Sequence, residues 1–186
     1  VTLYDFGQNF SGVPSITVKG NKGDTVKLIC GELINEDGTT NQTATGSPSF
    51  FTYILKGGGA ENWHPLFTYT GFRYVEVHCK PKENNQPLPQ VVKIEGLHIR
   101  NAANTVGSFS CSNDLFNRTH KLIDWAIKSN MVSVFTDCPH REKLGWLEET
   151  HLMGASVHYK YDVASLNRKV INDMKNAQYG NGKIPE

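Results

Sequence analysis

The run Asp137-Cys138-Pro139-His140-Arg141-Glu142-Lys143-Leu144-Gly145-Trp146-Leu147-Glu148-Glu149 gathers the side chains of this sequence best suited to chemistry. Four carboxylates (Asp137, Glu142, Glu148 and Glu149), one arginine and one tryptophan share a short span with a proline and a glycine. A carboxylic acid can protonate a leaving oxygen, further polar groups can hold hydroxyls, and an aromatic face suits the C–H groups of a sugar ring. A charged helix start on a solvated face would have the same composition. Composition alone leaves these two readings level.

Two kinds of element must position that run. Up to about residue 107 the chain reads as short strands: Tyr4–Phe6, Ile16–Val18, Thr25–Ile29, Phe51–Leu55, Tyr74–Val77, Val91–Ile94 and Leu97–Ile99. Turn signals at Lys22-Gly23-Asp24, Glu36-Asp37-Gly38 and Lys56-Gly57-Gly58-Gly59 separate them. Strands at this spacing predict an antiparallel β-sandwich of jelly-roll type over 1–107. The triple glycine lacks the Lys-Ser/Thr of a phosphate loop and reads as a plain connection.

From Ser112 the period becomes helical. Leu115, Phe116, Thr119, Leu122, Ile123, Ala126 and Ile127 share a face, with Ser112 or Asn113 as N-cap. A second helix opens near Trp146 to Glu149, and Val163, Leu166, Val170, Ile171 and Met174 mark a third, stopped by Asn181-Gly182. Strands first and helices afterwards predict two domains, with the boundary in the polar stretch 101–111. Three helices with apolar stripes on more than one face make a small core, so 108–186 is expected to be the opening of a larger helical domain.

The chain has 186 residues, and 19 Lys+Arg against 18 Asp+Glu give no electrostatic case for nucleic acid or an anionic membrane. No apolar stretch approaches the ~20 residues of a membrane-spanning helix. The sequence starts at Val1 without Met and closes on a loop-like Asn181–Glu186. An internal piece of a longer protein is therefore expected, of undetermined compartment, and an uncovered apolar face predicts self-association or instability of such a piece. Cys30, Cys79, Cys111 and Cys138 show no zinc spacing, and Cys30 and Cys79, at the ends of apolar runs, read as buried free thiols. His151 and His158 lie seven apart but lack a third ligand, so no metal and no cofactor is expected.

The order of residues carries more than their composition. Asp5-Phe6-Gly7-Gln8-Asn9-Phe10-Ser11-Gly12, Tyr53-Ile54-Leu55-Lys56-Gly57-Gly58-Gly59 and Phe67-Thr68-Tyr69-Thr70-Gly71-Phe72-Arg73-Tyr74-Val75 resemble the β-sandwich of bacterial α-L-rhamnosidases of glycoside hydrolase family 78. Asn113-Asp114-Leu115-Phe116-Asn117, Ser129-Asn130-Met131 and the run from Asp137 to Trp146 resemble the entry to that family's (α/α)₆ catalytic barrel. The resemblance implies hydrolysis of a terminal α-L-rhamnosyl bond with inversion. One carboxylic acid protonates the glycosidic oxygen, and a second carboxylate ~6.5–9.5 Å away deprotonates a water.

By similarity, Glu142 matches the general acid, and Asp137 and Arg141 match positions that hold sugar hydroxyls. Trp146 matches an aromatic wall for the methyl-bearing face of a deoxy sugar. Many members read Gly-Trp-Thr-Gly-Asp where this sequence reads Gly145-Trp146-Leu147-Glu148-Glu149, so Glu149 falls on an aspartate position, one methylene longer. An acid catalyst must hold its proton at working pH, and an arginine paired with Glu142 would oppose that. The Arg141 guanidinium is therefore expected to face a sugar hydroxyl or another carboxylate. The family's general base lies further along the barrel, outside these residues, so the isolated piece is expected to be inactive. The alternative is a non-catalytic module, either a carbohydrate-binding sandwich using Trp63, Tyr69 and Tyr74 or a purely structural one.

Overall fold

Strand β1 (Thr2–Lys19) organises the first half of the molecule, seen here in a computed structural model that describes residues 1–46 and 48–185. Two compact units result, Val1–Ile99 and Arg100–Glu186. In the first, β2 (Thr25–Gly31), β3 (Leu33–Ile34), β4 (Thr40–Asn41), β5 (Phe51–Ile54), β6 (Ala60–Trp63), β7 (Thr70–Lys80) and β8 (Gln90–His98) follow β1. The early part of β1 pairs with β7, from Thr2↔Val77 to Gly12↔Thr70. Its later part pairs with β8, from Gly12↔His98 to Lys19↔Gln90, and with β6 from Ile16 to Lys19. The main sheet runs β5-β2-β7-β1-β6 with β8 branching from β1, and β3 and β4 form a small second sheet. Every pairing between these strands is antiparallel, as expected.

The burial pattern follows the pleat. Val26, Leu28 and Cys30 of β2 are buried while Thr25, Lys27 and Ile29 between them are half-buried, because successive side chains point to opposite faces. Phe10, Val13, Ile16, Val18, Phe72, Val75 and Val77 complete this core, with the Phe10 and Phe72 rings 4.7 Å apart.

Two expected strands, Tyr4–Phe6 and Ile16–Val18, prove to be one. The register shifts between Asp5 and Phe10, where Gly7 takes φ 73° and donates its N–H to Asp5 Oδ1 at 2.7 Å. That left-handed residue absorbs the irregularity, so the strand bends and continues instead of turning. Val91–Ile94 and most of Leu97–Ile99 likewise merge into β8, which ends at His98, and β6 was not foreseen. Cys30 is buried, and burial pushes its thiol up to about 12. Cys79 is only half-buried, because it lies towards the end of β7. All four thiols are free.

In the second unit α1 (Asp114–Asn130), α2 (Leu147–Lys160) and α3 (Ala164–Ala177) occupy the three predicted positions. Asn113 is the N-cap of α1, its side chain accepting the Leu115 N–H at 2.9 Å. Ile127, Met131, Phe135, Val157, Tyr161, Val163, Leu166 and Val170 form a separate core. The polar stretch after Ile99 is held to these helices: Asn101 N–H donates to Met131 O at 2.6 Å and Val106 N–H to Lys160 O at 2.9 Å. Much of the α1 stripe stays outside that core. Leu115, Phe116, Leu122 and Ile123 are 60, 57, 67 and 46% exposed.

Candidate active site

The chemistry-bearing run fills the connection between α1 and α2. Its approach is fixed by Met131 and Phe135, both buried and bridged to each other across a tight turn. Thr136 N–H then donates to Asn130 O at 2.9 Å, and the Thr136 hydroxyl lies 3.1 Å from Asn130 Oδ1. The loop 137–144 is closed at its neck by Asp137. The Asp137 N–H donates to Leu144 O at 3.2 Å, and Asp137 Oδ1 accepts the Leu144 N–H at 3.0 Å. Inside the loop the Glu142 N–H donates to Cys138 Sγ at 3.3 Å. Lys143 takes φ 53°, a left-handed conformation that costs a non-glycine residue about 1–3 kcal/mol.

Gly145 lets this loop return. A Cβ there would lie 2.6 Å from Val134 Cγ2, too close for any other residue without displacing the turn beneath. Trp146 is the N-cap of α2 with no side-chain cap bond, and it is 37% exposed. Glu148 and Glu149 follow in the first turn, where negative charge favours the helix dipole.

The expected site residues fall into three groups. Asp137 and Glu149 line one cleft of about 170 Å³, with Asn130, Phe135, Thr136 and Met153 among its other walls. Acceptor carboxylates thus face apolar side chains, a suitable surround for a hydroxylated ring. Glu142 and Arg141 lie on the exposed part of the loop, their side chains 35 and 54% accessible. Trp146 is not among the walls of the cleft. Asn130, Thr136 and Met153 were not singled out as site residues from sequence; only Asn130, inside a quoted motif, carried any signal.

One expectation is corrected. Arg141 Nη2 bonds Glu142 Oε1 at 2.6 Å, so the guanidinium faces the proposed acid itself. The two residues are neighbours in one tight turn with side chains towards solvent, and there they pair with each other. The Glu142 carboxylate holds the Arg141 guanidinium above its ordinary value. A surface pair of this kind contributes little to stability and is readily exchanged for another partner.

Asp137 is differently placed. Burial would raise its carboxyl, but hydrogen bonds from the Cys138 thiol and from the Leu144 and Cys138 N–H groups hold it below its ordinary value. It therefore remains an ionised acceptor, fitted to holding hydroxyls rather than donating a proton.

A larger cleft of about 400 Å³ lies between α1 and α2, lined by Phe109, His120, Asp124, Tyr159 and Lys160 among others. Its carboxylate, Asp124, is already taken by the Tyr161 hydroxyl and by Lys128 Nζ at 2.8 Å. Size alone does not move the site there. In the β unit, Trp63 stacks on Tyr53 with centroids 5.1 Å apart, and Arg73 covers Tyr74 at 5.0 Å. These rings already have partners on a face that sugar stacking would use.

A two-part architecture, an antiparallel β unit followed by helices that carry this loop, agrees with the known proteins the chain resembles. Residues 1–100 match the bacterial alpha-L-rhamnosidase concanavalin-like domain, and residues 104–186 match the bacterial alpha-L-rhamnosidase 6 hairpin glycosidase domain. The chain belongs to the bacterial α-L-rhamnosidase family. An alpha-L-rhamnosidase of Formosa agariphila is 33% identical over 179 residues, covering 93% of this chain and 18% of that protein. The alpha-L-rhamnosidase structure from Dictyoglumus thermophilum superposes with a TM-score of 0.88 at 37% identity, over 98% of this chain and 20% of that one. The Streptomyces avermitilis alpha-L-rhamnosidase, solved in complex with L-rhamnose, gives a TM-score of 0.85 at 33% identity, over 98 and 17%. The chain thus spans about a fifth of the length of these relatives.

Proposed function

We propose that these residues are the acid-bearing part of an inverting α-L-rhamnosidase. Glu142 protonates the glycosidic oxygen, Asp137, Arg141 and Glu149 hold rhamnose hydroxyls, and Trp146 faces the apolar side of the ring. The observation that carries this reading is the closed 137–144 loop. It holds Asp137 ionised beside Glu149 in one cleft while leaving Glu142 reachable from solvent. The base that activates water is supplied by a segment outside these residues.

The Arg141–Glu142 pair is a solvent-facing contact, so a sugar hydroxyl that accepts from the guanidinium would draw it off the carboxylate.

The exposed α1 stripe supports the same reading. Leu115, Phe116, Leu122 and Ile123 would pack against further helices of a larger helical domain. The test is hydrolysis of α-L-rhamnosides by the complete protein with Glu142→Gln. A protein that binds L-rhamnose yet cleaves no rhamnoside would favour the binding-module reading instead.

A further inference from the structure

The cleft that holds Asp137 and Glu149 changes character along its length. Its polar walls come from the neck of the loop (Thr136 and Asp137), the last residue of α1 (Asn130) and the first turn of α2 (Glu149). Further along α2 the walls turn apolar. Glu149, Met153 and Val157 follow one another every four residues, so one face of the helix presents a carboxylate, then a thioether, then an aliphatic group to the same cleft. Met153 is half-buried and packs against the helical core that includes Phe135 and Val157. It is thus supported from behind and open to the cleft in front.

We propose that Met153 is a specificity-determining residue, its side chain receiving the C5 methyl of the rhamnosyl ring and selecting against a hydroxymethyl there. The role rests on the rhamnosidase reading of this cleft. Glu149 and Met153 stand about 6 Å apart along the helix axis, four residues at 1.5 Å each. A pyranose whose C2 and C3 hydroxyls meet the carboxylates turns its opposite edge, with C5 and its substituent, away from them. In L-rhamnose that substituent is a methyl, and in the otherwise identical L-mannose it is a hydroxymethyl. A thioether offers no donor and only a weak acceptor. A methyl packs on it freely, whereas an added hydroxyl would give up water there without a partner. Asp137 and Glu149 face hydroxyls that both sugars share, so neither can make this distinction.

The experiment measures kcat/KM of the complete protein on nitrophenyl α-L-rhamnoside and nitrophenyl α-L-mannoside, which differ only at C6. Met153→Leu, Met153→Gln and Met153→Ala are compared with the parent. An apolar pocket rejects an added hydroxyl by about 10²-fold, so the parent should favour the rhamnoside by about that factor. Glutamine, similar in length to methionine, brings a donor and an acceptor, and Met153→Gln should narrow the preference about tenfold. Met153→Ala, which opens room for water beside the hydroxyl, should narrow it as well. Met153→Leu should keep it.

An unchanged ratio in both Met153→Gln and Met153→Ala would overturn the role, because loss of packing lowers the two rates alike. So would an equal fall in Met153→Leu, or a parent that cleaves both substrates equally well. Should Met153→Gln fail to fold, as its Tm would show, the alanine and leucine ratios decide. A parent that cleaves no α-L-rhamnoside overturns the rhamnosidase reading and the role of Met153 with it. A parent that cleaves it, with a ratio no variant moves, removes Met153 alone.

Discussion

At the scale of single residues, the loop from Asp137 to Gly145 is held by contacts that make sharp demands. Gly145→Ala should destabilise the protein by about 1–3 kcal/mol, the usual cost of forcing extra volume into a packed site. The added methyl would meet Val134, a stiff side chain. Thermal unfolding measures this, and an unchanged Tm would mean that the loop does not lie as close to Val134 as described.

Asp137 gives a prediction with a definite sign. Its carboxyl sits below the ordinary 3.8 in the folded protein. The stability it contributes is fully present above that value and is lost as pH falls through its lower folded value. Asp137→Asn should therefore be less stable than the parent at neutral pH, with the gap closing as acid is added below 3.8. Denaturant unfolding at a series of pH values reads this out, and a gap independent of pH would contradict it.

The five candidate site residues were named in the sequence because their order resembles a known motif, but their orientations were not legible there. That Arg141 turns onto its neighbour depends on which rotamers a tight turn leaves pointing to solvent. Spacing along the chain carries no record of that.

At the scale of elements, the helices were the easiest part to read. A stripe from Leu115 to Ile127 with Asn113 ahead of it specifies both the period and the start of α1, and the structure places the cap there. Strands were harder. Gly7, Asn9, Ser11 and Gly12 have the composition of a turn, yet they continue β1 because Asp5 before them and Phe10, Ser11 and Gly12 among them pair with β7, and Gly12 also pairs with β8. Likewise Ala60–Trp63 has no run of β-branched residues and becomes β6 only by pairing with Ile16–Lys19. Both are cases where distant partners override local propensity.

The tie between α1 and the end of α2 belongs to this scale. Tyr161, 1% exposed, donates its hydroxyl to Asp124, which also holds Lys128. Burial and the Asp124 hydrogen bond both push the Tyr161 phenol well above its ordinary range. Tyr161→Phe should cost about 1.5–3 kcal/mol, the range for a hydrogen bond to a charged group, read from denaturant midpoints. A loss below a few tenths would mean that Lys128 alone satisfies the carboxylate.

At the scale of the whole molecule, each unit buries a core of its own and leaves other apolar residues open. The helical unit leaves Leu115, Phe116, Leu122, Leu152, Tyr159 and Ile171 between 57 and 83% exposed, and the β unit leaves Leu33, Ile54, Leu66 and Leu88 between 62 and 67% exposed. Exposed apolar groups on this scale call for a covering surface. Prepared alone, residues 1–186 should self-associate with rising concentration, and light scattering should show it. A monodisperse monomer at high concentration would count against the larger helical domain.

The central claim is that Glu142 delivers the proton in rhamnoside cleavage, and it is tested most directly by rates on two leaving groups. Nitrophenyl and alkyl α-L-rhamnosides would be offered to the complete protein and to its Glu142→Gln variant. The predicted result is a loss of about 10²–10⁴-fold on the alkyl substrate, the contribution expected of a general acid, and a much smaller loss on the nitrophenyl one. Equal rates for the two proteins on both substrates would contradict the assignment.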